Sequence, residues 1–224
     1  MTFGVRLHVW GDRACFTRQD LKVERVSYDA ITPSAARGIL EAIYWKPSIR
    51  WAIDRIHVLN PIRFESIRRN EVSGKILESH ARRTMQSGRL DGLEALVDAR
   101  RVQRTTLLLR DVSYVIEAHF EVADAGRSNE PPGKHIGIFT RRARAGQCFH
   151  MPYLGTREFP ANFRLIEPDE SMPAADPALT TPRDLGWMLY DIDYARGMTP
   201  QFFRARLQQG VIEIPARDSA EVRA

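Results

Sequence analysis

Hydrophobic and polar positions alternate at the start of the chain. Val5, Leu7 and Val9 fall on one side of Phe3 to Trp10, which predicts a first strand ended by Gly11-Asp12. Arg13 to Ile31 carries Arg13, Arg18, Lys22 and Arg25 among polar residues and reads as a long loop, either solvated or gripping an anionic backbone. Thr32-Pro33-Ser34 is a helix start, because a hydroxyl can cap and proline suits the first turn. The helix AARGILEAIYW then runs until Pro47 forbids continuation. Ile39, Leu40 and Ile43 take its core side, while Arg37, Glu41 and Tyr44 share another face at i, i+4, i+7. Taken by itself, Tyr44 is a half-buried aromatic with its hydroxyl hydrogen-bonded.

Ser48 to Asn60 is a second strand stopped by Pro61, and Ile62 to Val72 is a further extended stretch bearing Arg63, Arg68 and Arg69. The polar segment Lys75 to Arg104 predicts surface helices inserted between strands. Thr105 to Leu109 and Ser113 to Val122 read as two strands around Arg110-Asp111. In NEPPGKHIGIFTRR, Asn129 to Arg142, two prolines and a glycine make a turn, and Ile136, Ile138 and Phe139 suit a short helix ending near Gly146. Asn162 to Glu167 closes the set.

Without the insertion the order is strand, helix, strand, strand, helix, strand. That predicts an α+β, ferredoxin-like (RRM-like) βαββαβ domain over residues 1–168, with a helical insertion at about 74–104. Both helices would lie on one face of the sheet, bringing Tyr44 toward Lys134 and His135. After a Pro/Asp/Ala-rich linker, Leu185 to Tyr194, Pro200 to Leu207 and Val211 to Ile214 predict a small antiparallel sheet appended over residues 169–224.

Charge sharpens this picture. The 33 basic and 28 acidic residues give +5, but residues 1–167 hold 27 and 19 of them and residues 168–224 hold 6 and 9. A basic main domain favours an anionic partner, and the acidic end is a candidate for docking protein subunits. Cys15 and Cys148 have neither disulfide nor zinc spacing, no apolar run reaches membrane-spanning length, and no export signal opens the chain. A cytoplasmic protein without metal or other cofactor is expected.

Lys134 and His135 fall at or just before a helix N-terminus, where unpaired N–H groups and the positive dipole end favour phosphate. A lysine adds a mobile cation and a histidine a group that titrates near neutrality. By themselves they read first as a surface Lys-His pair on a helix's first turn. Arg141, Arg142 and Arg144 follow them and, with Arg37, Arg68 and Arg69, are candidates for phosphate contacts, although a solvated helix face would look the same. His57 and His119, inside strands, read as structural residues, and Trp45 and Trp51, flanking Pro47, as packing residues.

The chain resembles the CRISPR-associated RAMP proteins of the Cas-five family, subtype I-C (the Dvulg variant). The likeness rests on VWGDRACFTR, KVERVSYDAITPSAARGILEAIYWKP, IDRIHVLNPIRFESIRRNEV and GKHIGIFTRRARAGQCFHMPYLGTREFP, and extends across nearly the whole chain. It implies an endoribonuclease that cuts precursor CRISPR RNA within the repeat hairpin and stays on the 5′ handle of the guide RNA. Backbone and large subunits of the type I-C surveillance complex would be its partners. The family's catalytic tyrosine falls at Tyr44 and its Lys-His pair at Lys134 and His135; no stretch is assigned as the glycine-rich loop of many RAMP proteins.

Metal-free cleavage uses the RNA's own 2′-hydroxyl on the adjacent phosphorus. It needs a base, a cation for the crowded phosphate and an acid for the leaving 5′-oxygen. Lys134 is the charge stabiliser. Tyr44 serves as base or 2′-hydroxyl orienter with His135 as acid, or the two roles are reversed. An unperturbed phenol titrates at roughly 10, so Tyr44 needs a neighbouring cation to act as base. The other readings are a non-catalytic cap on the RNA handle and, more weakly, a nonspecific duplex-DNA binder.

Overall fold

The computed structural model describes residues 4–89, 93, 97–122 and 130–224. Phe3 and Asn129, the outermost residues of two stretches singled out above, lie outside the described residues, as do 90–92 and 94–96 of the expected insertion. In chain order the elements are β1 (Gly4–Ala14), α1 (Pro33–Ile43), β2 (Ile49–Val58), β3 (Phe64–Val72), α2 (Glu78–Ser87) and α3 (Val97–Arg100). They continue with β4 (Arg101–Val122), α4 (Pro132–Arg144), β5 (Asn162–Ile166), β6 (Arg183–Asp193), β7 (Thr199–Gln208) and β8 (Val211–Glu213).

The fold is mixed α and β, built on an eight-stranded sheet ordered β5-β1-β4-β2-β8-β7-β6, with β3 off this path and paired to β4. The ladders β1–β4, β1–β5, β2–β4, β2–β8, β6–β7 and β7–β8 are all antiparallel. By compactness the chain divides into two units, Met1–Glu65 with Leu107–Ala224, and Ser66–Thr106.

In the larger unit the alternation of β1 buries Val5, Leu7 and Val9 in the same core as Tyr114, Ile116, Ala118 and Phe120 of β4. α1 adds Ala36, Ile39, Leu40 and Ile43 from one stripe, and packs against β2 and β6. α4 turns His135, Phe139 and Ala143, spaced i, i+4, i+8, to the same core. In the smaller unit, α2 buries no side chain and is laced on its surface by the i,i+4 pair Glu78–Arg82. Glu71 and Arg104 pair there at 3.3 Å, and Ser73 N–H donates to the Arg100 carbonyl at 2.9 Å.

Four expectations need correction. β1 does not stop at Gly11-Asp12 but runs to Ala14, because β4 pairs with it on both sides, Gly11 with Val112 and Arg13 with Arg110. For the same reason Arg110-Asp111 does not divide two strands. Asp111 takes a left-handed φ of 51° inside one continuous β4, and the register is unchanged across it. α1 ends at Ile43, two residues earlier than the pattern suggested, because Tyr44 is already extended and Pro47 disfavours helical backbone at Lys46. Finally, the C-terminal strands are not a separate appended sheet. β8 pairs through Arg55–Glu213, Ile56–Ile212 and His57–Val211, so β8, β7 and β6 extend the main sheet from the free side of β2.

Candidate active site

The end of α1 decides where Tyr44 points. Its backbone is extended (φ −153°, ψ 121°), so its side chain leaves the face shared by Arg37 and Glu41. A helix end leaves its last carbonyls without intrahelical partners. Here three in a row are supplied from elsewhere. Phe149 N–H donates to the Ala42 carbonyl at 2.7 Å, the Arg142 guanidinium to Ile43 at 2.9 Å, and the Trp51 indole to Tyr44 at 3.0 Å. At a net contribution of about 1 kcal/mol for each such buried bond, these contacts fix the backbone from which the phenol projects.

α4 supplies the other half. Pro131 caps the helix, placing Lys134 and His135 in its first turn. Successive helix residues are about 100° apart, so the stripe that turns His135 inward turns Lys134 outward. His135 is fully buried, with Phe120 edge-on to its ring at 5.9 Å, and Tyr44 is only 3% exposed. Tyr44 Oη and His135 Nδ1 lie 2.8 Å apart, a hydrogen bond linking the end of one helix to the start of the other. The opposite nitrogen, His135 Nε2, is buried with no hydrogen-bond partner among the described residues.

Electrostatics sort the roles. Burial pushes the Tyr44 phenol above its ordinary value; the charge of Glu130 adds to this, while Arg142 and Lys134 pull the other way. The cation effect that a phenolate base would require is present but outweighed. Lys134 Nζ donates to Glu130 Oε1 at 2.6 Å, and this bond, followed by the carboxylate's charge, holds the ammonium above its usual value. The same bond is the first cause holding the Glu130 carboxyl below the usual carboxylate range.

The six arginine candidates divide. Arg142 lies over the Tyr44 ring at 5.5 Å while capping α1, so it braces the site. Arg144 is held by Glu167 through two bonds of 2.6 and 2.7 Å, and Arg37 donates to Asp191 at 2.8 Å. Arg141 is exposed and donates to Gln147 at 3.3 Å. Arg68 is exposed and Arg69 half-buried on β3, within the smaller unit.

Other residues take structural parts. His57 pairs with Glu117 at 3.2 Å and His119 with Asp54 at 2.8 Å. Trp51 is buried between Phe120 and Phe139, but Trp45 is 56% exposed and not a packing residue, since α1 has ended before it. A cleft of about 1110 Å³, lined by Arg37, Arg50, His119, Tyr190, Gln201 and Arg217 among others, includes none of Tyr44, Lys134 and His135. Among the described residues no three His, Cys, Asp or Glu side chains are grouped to hold a metal, and no helix is long and apolar enough to cross a membrane.

Sequence reading missed Lys46 and Glu130, which meet at 3.4 Å beside the pair. A signal existed for each: Glu130 is four residues before Lys134, and Lys46 follows Tyr44 by two. The inward stripe of His135, Phe139 and Ala143 was also legible in the spacing.

Known proteins resemble the whole chain. The Cas_Cas5d family model, described as "CRISPR-associated protein (Cas_Cas5)", matches residues 4–215. A protein of Mannheimia succiniciproducens named "CRISPR pre-crRNA endoribonuclease Cas5d" is 53% identical over 220 residues, covering 98% of both chains. Its namesake in Thermus thermophilus is 39% identical over 237 residues, covering 97% of this chain and 94% of its own. Among solved structures, one titled "Crystal Structure of CRISPR-associated Protein" superposes with a TM-score of 0.70 at 25% identity, over 99% of this chain and 96% of the other. The Streptococcus mutans protein SMU1763c shares the fold, with a TM-score of 0.68 at 22% identity over 99% and 97%.

Proposed function

The chain belongs to the Cas5d family of CRISPR-associated proteins, and from that membership we propose a metal-independent endoribonuclease that cuts precursor CRISPR RNA in its repeat hairpin. The observation that carries the catalytic assignment is the 2.8 Å contact of Tyr44 Oη with His135 Nδ1, beside Lys134 on the first turn of α4. The sheet segment β5-β1-β4-β2, with α1 and α4 between its strands, has the order of a ferredoxin-like βαββαβ core, and this supports the reading of an RNA-recognition scaffold.

In the reaction, the 2′-oxygen attacks the adjacent phosphorus and the bond from phosphorus to the 5′-oxygen breaks. One proton leaves the 2′-hydroxyl and one reaches the 5′-oxygen, giving a 2′,3′-cyclic phosphate and a 5′-hydroxyl. A buried phenol held above its ordinary pKa is a poor base and a good orienter. Tyr44 therefore fixes the imidazole through Nδ1, and His135 Nε2 is the nitrogen that exchanges a proton with the RNA. Lys134 offsets the growing charge on the phosphate oxygens. The protein then stays bound to the handle of the cut RNA, as a subunit of the surveillance complex. Duplex DNA lacks the 2′-hydroxyl consumed here and is no substrate for this reaction.

A labelled repeat hairpin incubated with pure protein in excess EDTA tests this. Cleavage at an undiminished rate, with cyclic-phosphate and 5′-hydroxyl ends, is the expected result. Strict dependence on a divalent ion would overturn it, and tight binding without any cut would leave a handle-binding cap.

A further inference from the structure

Three nitrogen groups converge on one carboxylate at the start of α4. Glu130 accepts from Lys134 Nζ at 2.6 Å through Oε1 and from Lys46 Nζ at 3.4 Å through Oε2. Oε2 also lies 3.9 Å from His135 Nε2, the buried nitrogen that has no hydrogen-bond partner among the described residues. An ordinary i,i+4 surface pair accounts for Glu130 and Lys134. It does not account for Lys46, which comes from 84 residues away, nor for an unpartnered imidazole nitrogen facing the same carboxylate.

A carboxylate and a phosphodiester each present two oxygens sharing one negative charge, and both are matched by convergent N–H donors. An anion replacing the Glu130 carboxylate would come within reach of both lysines and of His135 Nε2. We propose that Lys46 is a second phosphate-binding lysine of this centre, and that Glu130 occupies the scissile-phosphate position until RNA displaces it. This rests on the endoribonuclease reading and adds two residues to it. Lys46 and Lys134 then share the non-bridging oxygens, and His135 Nε2 gains its missing partner in the 2′- or 5′-oxygen. Lys46 lies three residues beyond the end of α1 and just before Pro47, which disfavours helical backbone there, so the ammonium is presented from outside the helix.

The test uses the full chain and the repeat hairpin, with single-turnover cleavage as one readout. The other is the Kd of a hairpin carrying a 2′-deoxy nucleotide at the cut, measured across salt concentrations. Lys46→Ala should slow cleavage roughly 10- to 100-fold, as loss of one preorganised charge at a transition state does. It should also lower the slope of log Kd against log salt by about one, the signature of one lost phosphate contact. Lys46→Arg should restore most of the rate, because the charge is kept. Glu130→Gln should bind the 2′-deoxy hairpin about 3- to 10-fold tighter, since no internal anion then competes for the lysines.

Lys46→Ala cleaving at the parental rate, or Glu130→Gln binding no tighter than the parent, would overturn the proposal. Glu130→Gln changes almost no volume and decides alone should the alanine variant fail to fold. His135→Ala in the same assay separates the two readings. If the parent itself does not cut, the endoribonuclease reading fails; if the parent cuts and His135→Ala is inert while Lys46→Ala is parental, only the lysine assignment does.

Discussion

His135→Ala is expected to lower cleavage of the repeat hairpin by roughly 10²- to 10⁴-fold, the range for loss of a positioned proton-transfer group, with hairpin affinity little changed. The split between rate and affinity follows from placement. His135 is fully buried and contributes no charge to the outer surface, so encounter with RNA depends on other residues. What alanine removes is the nitrogen that moves the proton and the anchor of the Tyr44 phenol. The phenol is then left buried without that partner, a cost of about 1–3 kcal/mol in stability that thermal unfolding would register separately. Tyr44→Phe should lose less activity than His135→Ala, because an imidazole without its orienter can still exchange a proton. Single-turnover rates on saturating enzyme check both. Residual cleavage by His135→Ala within tenfold of the parent would remove it from the chemistry.

Gly155→Ala is expected to be the most damaging single methyl that can be added to the chain among the described glycines. Gly155 has φ +87°, in the region L side chains rarely adopt, and a Cβ there would sit 2.0 Å from the Cys15 carbonyl oxygen. Backbone on both sides is tied down: Cys15 N–H donates to the Leu154 carbonyl at 3.0 Å, and Leu154 N–H to Phe159 at 2.7 Å. Neither partner is the loose end of a side chain, so the strain and the overlap together should cost about 3 kcal/mol or more. For a chain of this size that is a fall in Tm of roughly 6–12 °C, readable by calorimetry or circular dichroism. A fall below 2 °C would mean that the loop after α4 is not pinned to the end of β1. The same loop sends Phe149 to cap α1, so catalysis should suffer as well.

Much of this architecture is written in local pattern. Alternation places β1, β2, β5, β6, β7 and β8 close to where they lie, and Thr32 caps α1 by accepting from Ala35 N–H at 3.2 Å, as its position before Pro33 predicts. What local pattern could not supply is pairing. Arg110-Asp111 looks like a turn until β1 is laid beside it in unbroken register, and Val211 to Glu213 looks like a detached strand until β2 offers it an edge. The site shows the same division. Tyr44, Lys134 and His135 were found by motif, and Lys134 is exposed as read, yet the burial of Tyr44 and His135 was missed, because the inward stripe of α4 and the early end of α1 depend on what they pack against. Glu130 could be read only as the i,i+4 neighbour of Lys134, since its contact with Lys46 comes from a residue distant in the chain.

The seam between β2 and β8 is short, three matched residues supported by Val58 N–H to Gly210 and Ile214 N–H to Asp54. Short as it is, it shields the flank of a strand that carries Ile53, Ile56 and Val58. A chain cut after Pro168 would keep every residue assigned to catalysis and lose this shield. Its bared ladder of donors and acceptors would be an invitation to another copy, so the terminal quarter of the protein would act as a guard against polymerisation.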